Sequence, residues 1–262
     1  MATGKRKPFS EQELRDFLEE KTDLYNRPSF ITLDPVSIPH LFTKKEDIEI
    51  AGFLAATIAW GQRPTILRNA RALMERMDMS PHNFLLDAKA KELKRFEDFV
   101  HRTFNGVDCV YFMKALRTMY VQHGGLESVF NTGFAMEGAV TAIVRFRNMF
   151  FETAHPARTR KHVSDPSAGS SAKRLHMFLR WMVRNDKRGV DFGIWKKISP
   201  AKLLCPLDVH SGNVARKLGL LQRSQNDAKA VEELTARLRS FDPADPVKYD
   251  FALFGLGVFE KF

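Results

Sequence analysis

Apolar positions recur along this 262-residue chain at helical spacing, and no alternating strand pattern or internal repeat interrupts them. Ser10 is placed to cap a helix through about Lys21, with Glu13 completing a capping box. Residues 26–42 carry Pro28, Pro35 and Pro39 and read as an extended connection. Asp47 opens a helix from Ile48 to Trp60 that is apolar nearly all round and therefore buried. Gly61 stops it, and Pro64 suits the first turn of an amphipathic helix from Thr65 to Met77. Helices are predicted at 89–103, 108–122 and 137–152, followed by a loop from His155 to Ser171 that reads as a mobile boundary. Ser170 or Ser171 caps the next helix, Ala172 to about Arg184, whose Leu175, Phe178, Leu179 and Met182 form a core stripe. A short helical piece is expected around Trp195. Three helices close the chain: 211–220, 227–240 with Asp227 as cap, and 246–259 with Asp245 as cap. The pattern predicts an all-α protein of about ten helices without a sheet.

Composition narrows the class without changing it. Apolar residues make up 44% and charged residues 27%, as in ordinary globular proteins. No uncharged apolar run is long enough to span a membrane, and Met1 to Pro8 lacks the apolar stretch of a secretory signal. Two cysteines, Cys109 and Cys205, are too few for a disulfide framework or an iron–sulfur cluster. A cytoplasmic protein without cofactor or metal is expected, with residues 1–10 as a basic flexible tail.

Charge changes the picture more. The formal net charge is +10, yet Ala157 to Arg223 holds fifteen Lys/Arg against four acids, so the rest of the chain is close to neutral. A basic field confined to one segment points to a polyanionic partner, nucleic acid before an anionic membrane surface.

Candidate chemistry falls inside that segment. Lys173 stands in the first turn of its helix, where exposed N–H groups and nearby Arg174 disfavour a positive charge and favour the neutral amine that a Schiff-base nucleophile needs. The bland alternative is a surface lysine on a cationic face shared with Arg180 and Arg184. Asp208, in Cys205-Pro206-Leu207-Asp208-Val209-His210, is a helix cap or a carboxylate held ionised for charge stabilisation at a sugar. His210 lacks partners at metal-ligand spacing and reads as a polar group only. Gly61-Gln62-Arg63-Pro64 puts a long amide at a turn between two helices, able to fill the gap left by an extruded nucleotide.

Together these runs resemble the helix-hairpin-helix DNA glycosylase superfamily. The resemblance rests on Lys173-Arg174-Leu175-His176-Met177-Phe178-Leu179-Arg180-Trp181-Met182, on Pro206-Leu207-Asp208-Val209-His210, and on Val214 to Leu220. The Pro-x-Asp-Val-His piece is similar to the segment carrying the aspartate of 8-oxoguanine glycosylases. A lysine-headed helix 35 positions upstream is most similar to the archaeal 8-oxoguanine glycosylase branch. Phe53 to Gln62 resembles the helix ending in a DNA-probing glutamine, and Phe241 to Leu253 resembles a bacterial family of conserved proteins of about this length.

The resemblance implies a two-lobed helical domain over 11–262, with lobe one at about 46–200 and lobe two formed by the N-terminal helix plus 205–262. It implies a monomer acting on double-stranded DNA with a damaged base, by base flipping, and hence association with the bacterial nucleoid. Lys173 is then the amine attacking C1′ and Asp208 its activator. Pro206, Trp195 and His210 lie near the extruded base, and Gln62, Arg63, Arg174, Arg180, Arg184, Lys196, Lys197 and Arg216 contact DNA. The Leu-Pro-Gly-x-Gly hairpin signature is missing, leaving Asp186 to Ser199, with Gly189 and Gly193, to serve as hairpin. The expected activity is excision of an oxidised purine, with or without strand cleavage. Rivals are a non-catalytic DNA- or RNA-binding member of the fold and an interaction protein whose basic segment meets an acidic partner.

Overall fold

The computed structural model describes residues 9–262; residues 1–8, most of the basic tail, lie outside the described residues. Among the described residues thirteen α-helices run in chain order as α1 (Glu11–Tyr25), α2 (Pro28–Ile31), α3 (Lys45–Thr57), α4 (Arg63–Arg76), α5 (Pro81–Asp87), α6 (Ala90–Leu93), α7 (Gly106–Gln122), α8 (Leu126–Met136), α9 (Ala139–Phe150), α10 (Lys173–Val183), α11 (Val209–Lys217), α12 (Ala228–Phe241) and α13 (Asp250–Val258). The protein is mostly helical, as its periodicity predicts. Among the described residues one small antiparallel hairpin, β1 (Val100–His101) with β2 (Phe104–Asn105), breaks the all-α pattern. It occupies the end of the predicted 89–103 helix, because Arg102 turns the chain with φ +55°.

Local signals explain most elements. Ser10 and Glu13 form the predicted capping box, and Asp227 caps α12 by accepting from the Ala230 N–H. Between α1 and α3 the prolines start short turns instead of an extended run: Pro28 opens α2, and Pro35 and Pro39 open 3-10 turns. Proline at the first helical position loses no intrahelical bond. Asp245 makes no cap. Its Oδ2 instead accepts from Arg184 Nε at 2.8 Å, and residues 246–249 form a 3-10 turn ahead of α13.

α10 is a buried helix. Leu175 to Val183 are all buried, so the predicted stripe is only part of a nearly all-round interface. α3 packs along it, and Gly52 in α3 permits the approach: a Cβ there would lie 3.1 Å from Met182 Cε. α1 and α11 pack on α13.

The two connections flanking α10 differ from expectation. Residues 155–171 contain a 3-10 segment, Ala157–His162, anchored by the buried Thr159 hydroxyl, which donates to Asp108 Oδ1 at 2.7 Å. It is a packed strap and not a boundary. Asp186 to Ser199 contains no helix, and the chain around Trp195 is irregular. The Phe192 and Trp195 N–H groups donate to Trp181 and Met182 carbonyls, so this run folds back on the end of α10 and is not a hairpin joining two helices. Among the described residues no helix is long and apolar enough to cross a membrane.

Candidate active site

Asp208 is fixed first by its own helix. As N-cap of α11, its Oδ1 accepts from the His210 N–H at 2.8 Å and the Ser211 N–H at 3.0 Å, while its N–H donates to Ser211 Oγ at 3.0 Å. Its carbonyl accepts from Asn226 Nδ2 at 3.1 Å. Gly212 makes room for that amide, since a Cβ there would meet Asn226 Oδ1 at 2.6 Å. Arg216 pins the same loop, donating to the Arg223 carbonyl at 2.7 Å and to Asn226 Oδ1 at 2.6 Å. Its guanidinium therefore shapes the site and is not held out as the DNA contact the sequence predicts.

Lys173 arrives from the other direction. Ser170 pairs with Asp227, and the Ala228 N–H donates to the Gly169 carbonyl, tying the segment before α10 to the start of α12. Ala172 then takes a left-handed conformation, φ +43°, while buried. The predicted serine cap is absent. Ser170 Oγ accepts from the Ala172 N–H at 3.2 Å, and no side chain caps α10. A non-glycine residue costs about 1 kcal/mol or more in this conformation, so surrounding packing enforces it immediately before the lysine.

The outcome is a close pair. Lys173 Nζ lies 3.4 Å from Asp208 Oδ2, with the two side chains 25% and 29% exposed. Thus Oδ1 is spent on the helix N-terminus and Oδ2 faces the amine. Burial raises the Asp208 pKa, but the Lys173 charge and the Ser211 N–H outweigh it and hold the carboxyl below the usual range.

The pair faces a cleft of about 850 Å³, larger than four other surface hollows of about 400 to 570 Å³. Its walls are drawn from distant elements: Phe30 of α2, Trp60 after α3, Met177 of α10 and Phe254 of α13 supply apolar faces. Arg63, Arg174 and His210 add polar edges. The Arg174 guanidinium sits 4.7 Å over the Trp60 ring and donates to the Thr57 carbonyl. Burial lowers its pKa to about 10, and no carboxylate among the described residues pairs with it. Arg63 lies 5.3 Å over the Phe254 ring. Gly61 lines the same cleft with φ +105°, and Gln62, exposed and making no cap bond, follows it at the start of α4.

Other predicted site residues offer no free group to the cleft, although Arg180 is part of its lining. Arg180 and Arg184 are buried: Arg180 bonds Asp191 and Asp250, and Arg184 bonds Asp186, Asp191 and Asp245. Their charges are spent inside the protein, which removes both as phosphate contacts. Trp195 is fully buried, its indole N–H donating to Glu49 Oε1 at 2.7 Å, and it does not line the cleft. Pro206 is buried behind Asp208 and does not line the cleft. Lys196 and Lys197 are exposed, but Lys197 borders a separate hollow with Glu46, Glu49 and Glu127.

Two acids in the cleft escape the sequence reading. Asp34 follows a leucine and precedes a proline, so it passes as a turn residue; Asp250 falls inside the predicted last helix. Burial pushes the Asp250 pKa up to about 6, although Arg180 and Lys173 oppose the shift. Among the described residues no group of three His, Cys, Asp or Glu side chains is placed to hold a metal ion. A family model described as "Protein of unknown function (DUF2400)" matches residues 34–259, a span that includes Asp34, Lys173, Asp208 and Asp250. No curated protein and no solved structure matches the chain.

Proposed function

The chain belongs to the DUF2400 family, and we propose that it is a DNA N-glycosylase with lyase activity, releasing an oxidised purine through a Lys173 Schiff base. One observation carries the reading: an amine and a carboxylate 35 positions apart in sequence meet at 3.4 Å in a cleft with apolar walls. A glycosidic bond needs a nucleophile at C1′ and a negative charge beside the sugar as positive charge develops, and the pair supplies both. The about 850 Å³ cleft suits one extruded base between Phe30, Trp60, Met177 and Phe254.

In the reaction Lys173 gives its ammonium proton to water, and the amine attacks C1′ while the C1′–N9 bond breaks and its electron pair leaves with the base. Asp208 stabilises the developing oxocarbenium charge. It then takes the proton lost by Nζ and passes it to the departing base. Opening of the sugar ring, with protonation of O4′, leaves an iminium between Nζ and C1′. Loss of a C2′ proton to water, with cleavage of the C3′–O bond, expels the 3′-side strand as its phosphate, and hydrolysis of the imine releases an unsaturated aldehyde and returns the amine. Asp208 suits charge stabilisation because its lowered pKa keeps it ionised at neutral pH. Gln62 beside the cleft mouth fills the space vacated by the flipped nucleotide, and Arg63 and Arg174 face the strand. Two-lobed geometry, DNA as partner and a cytoplasmic, nucleoid-associated location follow from the same reading.

The test is borohydride trapping on an end-labelled duplex containing 8-oxoguanine, beside undamaged, uracil and abasic duplexes. A covalent adduct formed by the wild type and absent from Lys173→Gln is expected. No adduct and no base release from any duplex, despite salt-sensitive DNA binding, would sink the enzymatic reading.

A further inference from the structure

We propose that Asp34 is the specificity-determining residue of this cleft, accepting hydrogen bonds from the N1–H and N2–H₂ donors of a guanine-type base; the inference rests on the glycosylase reading. Asp34 is 7% exposed yet lines the cleft that holds Lys173 and Asp208. One of its oxygens, Oδ1, accepts the Val36 N–H at 3.0 Å, which caps the 3-10 turn Pro35–Ser37. The other, Oδ2, receives no hydrogen bond from the described residues. A cap needs only one acceptor, and serine or asparagine supplies it without burying a carboxyl. The second oxygen is therefore not needed for the cap, and Asp34 lines the cleft.

Its surroundings match a ligand edge. Phe30 and Phe254 meet edge to face at 5.7 Å in the same wall, giving flat apolar surfaces beside the carboxyl. Burial pushes the Asp34 pKa up, and the Val36 N–H with the charges of Arg180, Lys173 and Arg63 offsets part of that shift. A carboxylate has acceptors only. It pairs with the adjacent N1–H and N2–H₂ of a guanine edge and is repelled by the N1 lone pair of an adenine edge. An asparagine whose oxygen stays on the Val36 N–H turns its Nδ2 donor to the cleft, where it opposes a guanine edge and suits the N1 acceptor of adenine.

The test compares single-turnover base release from duplexes carrying 8-oxoguanine or 8-oxoadenine, with borohydride trapping on an abasic duplex alongside. The wild type should favour 8-oxoguanine by about a hundredfold or more, as sites built to bond a polar edge do. Asp34→Asn keeps the acceptor for Val36. It should trap abasic DNA within about twofold of wild type, release 8-oxoguanine at least about thirtyfold more slowly, and bring the preference below about fivefold. Asp34→Ser, which also keeps a cap acceptor, should give the same pattern if the asparagine variant folds poorly. An unchanged preference in either variant, or an equal loss on abasic DNA, overturns the inference and leaves Lys173 chemistry standing. No adduct and no release by the wild type overturns both.

Discussion

The two ends of α10 carry the same kind of residue to opposite ends. At its C-terminal side Arg180 and Arg184 are buried and share four carboxylates, Asp186, Asp191, Asp245 and Asp250. At its N-terminus Lys173 has a single carboxylate, Asp208, and both remain partly exposed in a cleft. A buried cation is tolerable only when carboxylates and hydrogen bonds replace its water, and then it is committed to structure. Burial works against the Arg180 charge, but Asp191, Asp250 and Asp34 more than compensate and raise its pKa. A cation that keeps one partner and an open side stays available for a ligand. The difference lies in the number of partners and not in the residue or the helix face.

Breaking the open end should have the largest effect, and on chemistry alone. Lys173→Gln removes the only amine at the pair, so adduct formation on abasic or 8-oxoguanine DNA should fall by at least about 10⁴-fold, a barrier change of about 5 kcal/mol. Stability should move by less than about 1 kcal/mol, because a single partly exposed ion pair contributes little. Breaking the closed end should do the reverse. Arg184→Met strands Asp245 without its cation and leaves Asp191 with Arg180 alone, and urea unfolding should show a loss of about 3–5 kcal/mol. Comparable losses of stability at both ends would erase the distinction.

That distinction was only half legible in the sequence. Lys173 and Asp208 stand out because each sits at a helix start, where capping rules and the helix field give a residue type meaning. Arg180 and Arg184 share a helical face with Lys173, and periodicity alone cannot say whether such a face meets water or acids. The acids that claim them come from positions 191, 245 and 250, and only tertiary packing brings these together. Asp34 was hidden for a related reason, since Asp before Pro is an ordinary turn and its second oxygen gains meaning only when α10 and α13 close the cleft. α8 and the hairpin were missed where local signals are weak: Gly125 starts α8 without a side-chain cap, and the two strands hold two residues each.

The middle of α10 gives a pH test of how firmly it is buried. His176 is 2% exposed, its Nδ1 has no hydrogen-bond partner, and burial lowers its pKa to about 4. A folded pKa below the unfolded value of about 6.5 means that the neutral ring's contribution is intact above pH 6.5 and is lost as pH falls towards 4. Over that window the shift corresponds to on the order of 3 kcal/mol. His176→Leu should escape that loss, so its unfolding free energy measured at pH 7 and pH 4.5 should fall less than that of the wild type. Parallel falls in the two proteins would mean that the helix admits water at its centre.

The smallest effect sharpens the comparison most. Ala172 is held at φ +43° just before Lys173, and glycine adopts that conformation without the Cβ clash. Ala172→Gly relieves about 1 kcal/mol of backbone strain but gives up a buried methyl worth about 0.8 kcal/mol and loosens the unfolded chain. These terms nearly cancel, so stability should change by less than about 0.5 kcal/mol. Trapping on abasic DNA should nonetheless slow several-fold, because the residue that aims the amine at Asp208 is no longer confined. A marked loss of stability with unchanged trapping would show that the open end of α10 is packed for structure, as the closed end is, and that the lysine needs no aiming.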